Sequence, residues 1–130
     1  MAKKKIKPKA KTIKKKFTVA KSASKSNEFV SVYVSTPDRD NALKVAQTLV
    51  NEKLVACFNI FENITSVYRW HNELEKSTEV IMIGKTQTKL QAQVTKRIKE
   101  LNSYEVPCIV YWPIADGFPL YLEWIKANTK

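Results

Sequence analysis

The side chains able to do chemistry are few and thinly spread. There is one histidine, His71, in the run Tyr68-Arg69-Trp70-His71-Asn72, and there are two cysteines, Cys57 and Cys108. A metal centre draws several His, Cys or carboxylate donors at matching spacing, and His71 has none near it in sequence. An exposed turn residue is the plainer reading of it. Both cysteines are soft copper(I) donors by type, yet each stands inside an apolar run, LVACFNIF and VPCIVYW. There a thiol behaves as a small hydrophobe in a reducing compartment. No serine or cysteine sits in a nucleophile elbow, and two glycines in the whole chain exclude a Gly-rich phosphate loop. The carboxylates show no spacing that pairs two of them for acid–base work. Arg39, Arg69 and Arg97 have no glycine-containing loop that would make a phosphate cradle, so the pattern points away from an enzyme.

Other residues carry two readings each. Lys85 ends an apolar strand just before Thr86 and a helix start. It could contact an anion beside that helix N-terminus, or snorkel outward and pair with Glu79 on the same strand. Trp70 and Trp124 could cage a ligand or fill a core and interface.

The elements that must position these groups can be read from periodicity. Phe29–Ser35 alternates Phe, Ser, Tyr, Ser against three valines and reads as a strand. Asp38 after Pro37 suits an N-cap, and Ala42, Val45, Ala46, Leu49 and Val50 place a helix over about Arg39–Glu52. Leu54–Phe61 and Ile64–Trp70 read as one long strand broken by a bulge. Asn72–Lys76 supplies a turn, and Thr78–Lys85 returns as a strand apolar enough to be buried on both faces. Thr88 with Gln91 suits a capping box ahead of a helix carrying Leu90, Val94, Ile98 and Leu101. Pro107 opens a strand over Cys108–Trp112, and Gly117 and Pro119 introduce a last short helix. The order strand, helix, strand, strand, helix, strand, helix predicts an α+β, ferredoxin-like split βαβ fold with a long hairpin and an extra C-terminal helix. Both main helices fall on one sheet face. The other face is left open and apolar, so another subunit is expected to cover it.

Charge divides the chain in two. Residues 1–27 hold eleven of the 23 basic residues, all lysine, and no acid. The remaining twelve match the twelve Asp and Glu of residues 28–130, leaving that domain formally neutral. A segment so charged and so poor in apolar residues predicts a disordered tail. Through residues 3–25 it would contact nucleic acid non-specifically. KKKIKPK and KTIKKK also resemble nuclear-localisation patches, and the acid-free composition partly resembles an organelle transit peptide. No stretch is long and apolar enough for a membrane span, and the N-terminus lacks a secretory apolar segment. A cytoplasmic protein is expected, with nucleus or organelle as the alternative if the tail is a targeting signal.

The motifs VSTPD (residues 34–38), NEKLVACFNIF, ITSVYRW, EVIMIGKT, SYEVP and YLEWI resemble, in order and spacing over about residues 29–127, the CutA family of divalent-cation-tolerance proteins. The resemblance implies a homotrimer in which each long hairpin reaches across its neighbours. It also implies architectural kinship to the PII signalling proteins, whose clefts between subunits hold small ligands. Cys57, Tyr68, Trp70, Glu79, Lys85, Thr86, Tyr104, Pro107 and Trp124 match the family's recurrent positions and would line or support that cleft. The chain departs from the family where Asn102-Ser103-Tyr104 replaces the common His-Pro-Tyr, and where Cys108 replaces a common glutamate. The obvious divalent-metal ligand is thereby lost, leaving Cys57 and Cys108 as candidate soft donors. The function implied is non-enzymatic: a trimeric regulatory or binding protein in divalent-cation tolerance. It requires no cofactor and takes copper or another divalent cation, or a small ligand, between subunits. A PII-like signalling module and a nucleic-acid-associated protein acting through its basic tail are the alternatives.

Overall fold

A computed structural model describes residues 27–130, so the expectations for residues 1–26 lie outside the described residues. In chain order the elements are β1 (Phe29–Thr36), α1 (Arg39–Asn51), β2 (Cys57–Trp70) and β3 (Glu73–Gln87). A short 3-10 turn over Thr88–Leu90 then leads into α2 (Gln91–Leu101), followed by β4 (Ile109–Pro113) and α3 (Pro119–Ala127). The strands form one antiparallel sheet in the order β2-β3-β1-β4. This is the ferredoxin-like α+β arrangement expected from the order of elements.

β1 is central, and its alternation fixes what each face of the sheet is made of. Val30, Val32 and Val34 point to one side and are buried. Val32 and Val34 share a core with Ala42, Val45 and Leu49 of α1, Val94 and Ile98 of α2 and Met82 of β3. α1 begins where expected, because the Asp38 carboxylate accepts the Asn41 backbone N–H at 2.8 Å. It ends at Asn51, and Lys53 takes a left-handed φ of 59° that turns the chain back toward the sheet. The two helices are tied by Arg97, which donates from Nε and Nη2 to both oxygens of Glu52 at 2.9 and 2.8 Å. That pairing holds the Glu52 carboxyl below its ordinary value.

Three local expectations need correction. The expected strand start at Leu54 falls instead at Cys57, because Leu54, Val55 and Ala56 are buried in the turn out of α1. The hairpin turn is not Asn72–Lys76 but His71-Asn72 alone, both left-handed with φ of 53° and 65°. A two-residue turn of this hand matches strand twist, so pairing resumes at once with Trp70 opposite Glu73. The capping box at Thr88 does not form. Its hydroxyl donates instead to the Asn27 carbonyl at 2.7 Å, and no side chain caps α2. The bulge is where the sequence put it: register shifts between Phe61 and Ile64, with Asn63 left-handed at φ 58°.

β3 outruns β1, whose last pair is Thr36 with Val80. The seven residues Glu73–Glu79 therefore pair only with β2, and the hairpin extends past the sheet as an arm of ~23 Å. Within the core, Gly84 stands in register between Val32 and Phe58. A Cβ there would lie 2.6 Å from Phe58 Cε1 and 3.0 Å from Val55 Cγ1. Gly84→Ala should consequently lower stability by about 1–3 kcal/mol through overpacking. A urea titration would show this as a lower midpoint at unchanged slope, and an unaltered midpoint would mean that the Phe58 ring relaxes freely.

Candidate functional site

The second face of the sheet is the one the helices α1 and α2 leave uncovered. Strand alternation puts Ser31 and Tyr33 of β1 there, with Ile83 and Lys85 of β3, Asn59 and Phe61 of β2, and Val110 and Trp112 of β4. Trp112 is 51% exposed and Val110 42% on one edge strand, and Phe61 46% on the other, large values for apolar groups in strands. Tyr33 packs edge-on against Trp112, with ring centroids 5.4 Å apart. The open apolar face expected from the sequence is thus present in the single chain.

Each end of this face carries a polar cluster. At one end α3 folds over it, burying Ile125 against Phe29 and Ala56. Gln87 donates to the Thr129 hydroxyl at 2.8 Å, and Cys57 Sγ lies 3.4 Å from the Tyr121 hydroxyl. Burial, together with the Cys57 thiol, pushes the Tyr121 phenol up to about 12. Tyr121 stacks on Trp124 at 5.4 Å, and both rings stay partly open to solvent. At the other end the loop between α2 and β4 lays Tyr104 on Glu79. The Tyr104 hydroxyl donates to Glu79 Oε2 at 2.7 Å, and both residues are buried. Burial first, then the Glu79 hydrogen bond and charge, raises the Tyr104 phenol far above its ordinary value. Tyr33 is raised as well, by burial first and then by the charges of Cys108 and Glu79.

The loop that delivers Tyr104 is held by two asparagines that nothing in the sequence marks as positioning groups. Asn102 donates to the Ser35 carbonyl at 3.1 Å and accepts the Tyr104 backbone N–H at 2.8 Å. Asn41 donates to the Leu101 carbonyl at 3.0 Å and accepts the Ser103 N–H at 3.1 Å. An asparagine following the last turn of a helix is a common local capping choice, and that was the only signal available. Nearby, the fully buried Ser35 hydroxyl has no hydrogen-bond partner among the described residues.

The remaining singled-out residues fall as follows. Lys85 does not pair with Glu79, since six strand residues separate them by ~20 Å. Its ammonium donates to Asn59 Oδ1 at 3.3 Å. Thr86 points to the helix side, fully buried, and donates to the Leu54 carbonyl at 2.6 Å, so it supports the sheet rather than lining its open face. Tyr68 sits 3.5 Å from the Ser77 hydroxyl on the hairpin arm, and Trp70 packs edge-on against the exposed His71 at the tip. Cys57 and Cys108, both half-buried and in no disulfide, lie at the start of β2 and just before β4, the opposite edges of the sheet, at least ~14 Å apart. Pro107 is half-buried beside Cys108.

Comparison with known proteins agrees with this geometry. The family model described as "CutA1 divalent ion tolerance protein" matches residues 30–128. The chain belongs to this family. The divalent-cation tolerance protein CutA of Thermus thermophilus is 40% identical over 98 residues, covering 75% of this chain and 95% of that protein. The chloroplastic CutA of Arabidopsis thaliana is 37% identical over 83% of this chain, which spans only 59% of that longer protein. The crystal structure of CutA1 from Oryza sativa superimposes with a TM-score of 0.77 at 35% identity, covering 79% of this chain and 94% of that one.

Among the described residues no three His, Cys, Asp or Glu side chains converge, and the two thiols stand apart. No helix among them is long and apolar enough to cross a membrane.

Tyr104 gives the site a measurable signature. Removing its hydroxyl in Tyr104→Phe takes a donor from the buried Glu79 carboxylate and should cost about 1–3 kcal/mol. The pH dependence has a definite sign. A phenol raised above its ordinary ~10 contributes fully below pH 10 and loses that contribution as pH rises through the raised value. Denaturation midpoints measured from pH 9 to 12 should therefore fall less steeply for Tyr104→Phe than for the parent. Parallel curves would show that Tyr104 ionises alike in the folded and unfolded chains.

Proposed function

We propose that the chain acts in divalent-cation tolerance as a non-enzymatic homotrimer that binds its ligand between subunits. The observation that carries this reading is the open sheet face, with Trp112, Phe61 and Val110 exposed beside Tyr33 and Ile83. A patch of that kind on a soluble domain marks an interaction surface. A second copy satisfies it with self-complementary strands and a protruding hairpin arm. The names of relatives support the role in cation tolerance, and the ferredoxin-like domain supports the PII-like form of ligand binding at subunit boundaries. Copper is the cation proposed, because the donors that remain after loss of the family's histidine are thiols. Cys57 and Cys108 from adjacent copies would supply them. Half-buried thiols in no disulfide also suit a reducing compartment, in keeping with a cytoplasmic protein.

Two measurements test this. Light scattering of the full chain should give a mass near three protomers, and Trp112→Glu should shift it toward one by burying a charge at the contact. A mass of one protomer for the parent would end the proposal of a trimer. Calorimetric titration of Cu(I), Cu(II) and Zn(II) should then give saturable binding of Cu(I) that Cys57→Ser/Cys108→Ser abolishes. Absence of saturable heat from any of the three would make metal tolerance indirect and turn the search to small organic ligands.

A further inference from the structure

We propose that the end of the domain where the lysine-rich segment joins it is a contact surface for double-helical DNA. There Lys53 and Lys89 carry the phosphate contacts of that segment onto the folded body. Lys53 follows α1 and Lys89 precedes α2, so both stand at the helix side of the sheet and not on the open face given to other copies. The proposal needs neither the trimer nor a metal.

Hydrogen bonds gather the lysines of this end around one point. Thr88 holds the first described residues: its hydroxyl donates to the Asn27 carbonyl at 2.7 Å, and its N–H to the Glu28 carbonyl at 2.8 Å. Lys89 is the next residue. Gln87, just before Thr88, donates to the Thr129 hydroxyl at 2.8 Å and to the Lys130 carbonyl at 3.3 Å. The Lys130 N–H in turn donates to the Lys53 carbonyl at 3.0 Å, and Lys126 joins through its ion pair with Glu28 at 3.0 Å. Lys53 and Lys89 are exposed and have no ion-pair partner among the described residues. The neighbouring Glu52 is taken up by two bonds from Arg97. Acids such as Asp38, Asp40, Glu73 and Glu75 lie toward the far end, so a polyanion is drawn to this end first.

The basic run of the sequence leads directly into this cluster. Lys25 precedes Asn27 by two residues, at most ~7 Å, and residues 1–27 hold eleven lysines and no acid. Their composition selects the partner. The same residues hold no arginine or glutamine to read base edges, so the contact is with backbone phosphate. Ammonium groups bind polyanions by releasing condensed counterions, and double-helical DNA, with one charge per ~1.7 Å of axis, returns most for each phosphate neutralised. A lipid surface suits the segment less. After Met1 its larger apolar residues are Ile6, Ile13, Phe17 and Val19, little to insert beneath headgroups.

The test is fluorescence anisotropy of the full chain with a labelled mixed-sequence duplex, between about 50 and about 200 mM salt. The parent is compared with Lys53→Gln/Lys89→Gln, with Lys53→Arg/Lys89→Arg, and with Lys44→Gln/Lys99→Gln, a control that removes two exposed lysines farther from the cluster. Binding by the parent should weaken steeply as salt rises. The Gln pair should lower the slope of log affinity against log salt by about 2, close to one unit per lost phosphate contact. The Arg pair and the control should follow the parent. A Gln pair that follows the parent would leave the contact to residues 1–26 alone and overturn the proposal. Equal losses in the control would reduce it to net charge and overturn it too. Single-stranded RNA bound as tightly as the duplex at equal salt, or phosphatidylserine vesicles bound more tightly, would overturn the choice of partner. A parent without measurable binding at the lowest salt ends the proposal outright.

Discussion

The alternation of β1 and β3 governs the rest of the molecule. Each strand sends one set of side chains toward α1 and α2 and the other toward the opposite face, and there is no neutral position between them. Val30, Val32 and Val34 satisfy the first demand so fully that no exposure remains at the centre of the helix side. The second set, Ser31 and Tyr33 with Ile83 in register, is then obliged to be a surface, while Ser35 and Ile81 on the same side are buried toward its end. Two helices cannot cover two faces. α3 and the Tyr104 loop close the ends of the open one and leave its middle apolar.

That constraint explains why the polar clusters sit where they do. A carboxylate such as Glu79 can be buried only where donors reach it, and the loop between α2 and β4 is the segment that crosses to that end of the open face. Asn102 and Asn41 hold the loop through four hydrogen bonds to main chain, so the aim of Tyr104 is set by backbone geometry rather than by packing alone. The replacement of a family histidine by Asn102 therefore changes a residue with a structural task here. Its amide satisfies a carbonyl of β1 and an N–H of the loop simultaneously, which a single imidazole in a fixed tautomer could also manage only with one donor and one acceptor correctly placed.

Much of the fold was legible because periodicity and local chemistry agree. Asp38, the valines of β1 and the stripe Leu90, Val94, Ile98 read correctly from spacing, and the bulge was visible as Glu62-Asn63 between two apolar runs. What failed were sites where a tertiary partner outbid a local one. The Thr88 hydroxyl takes the Asn27 carbonyl in preference to capping α2. His71-Asn72 suffices as a turn because both accept left-handed φ, so Glu73–Lys76, polar enough to suggest a loop, continues the strand. Lys85 and Glu79 looked like a pair in one dimension, but strand rise separates them. Of the candidate site, the open face and its aromatics could be read; the asparagine latch could not, because its partners are backbone atoms some sixty residues away.

The hairpin arm follows from the same economy of faces. Past Thr36 and Val80 the pair β2–β3 has no third strand and no helix beneath it, and both of its sides meet solvent or a partner. A two-stranded ribbon alone is marginal in water. Its outer side exposes Val67 and Leu74, at 62% and 72%, while its inner side carries Tyr68, Trp70, Glu73 and Glu75. The inner side continues the open sheet face, so the neighbouring copy proposed to cover that face would extend along Tyr68 and Trp70 and lend the arm the support that it lacks alone.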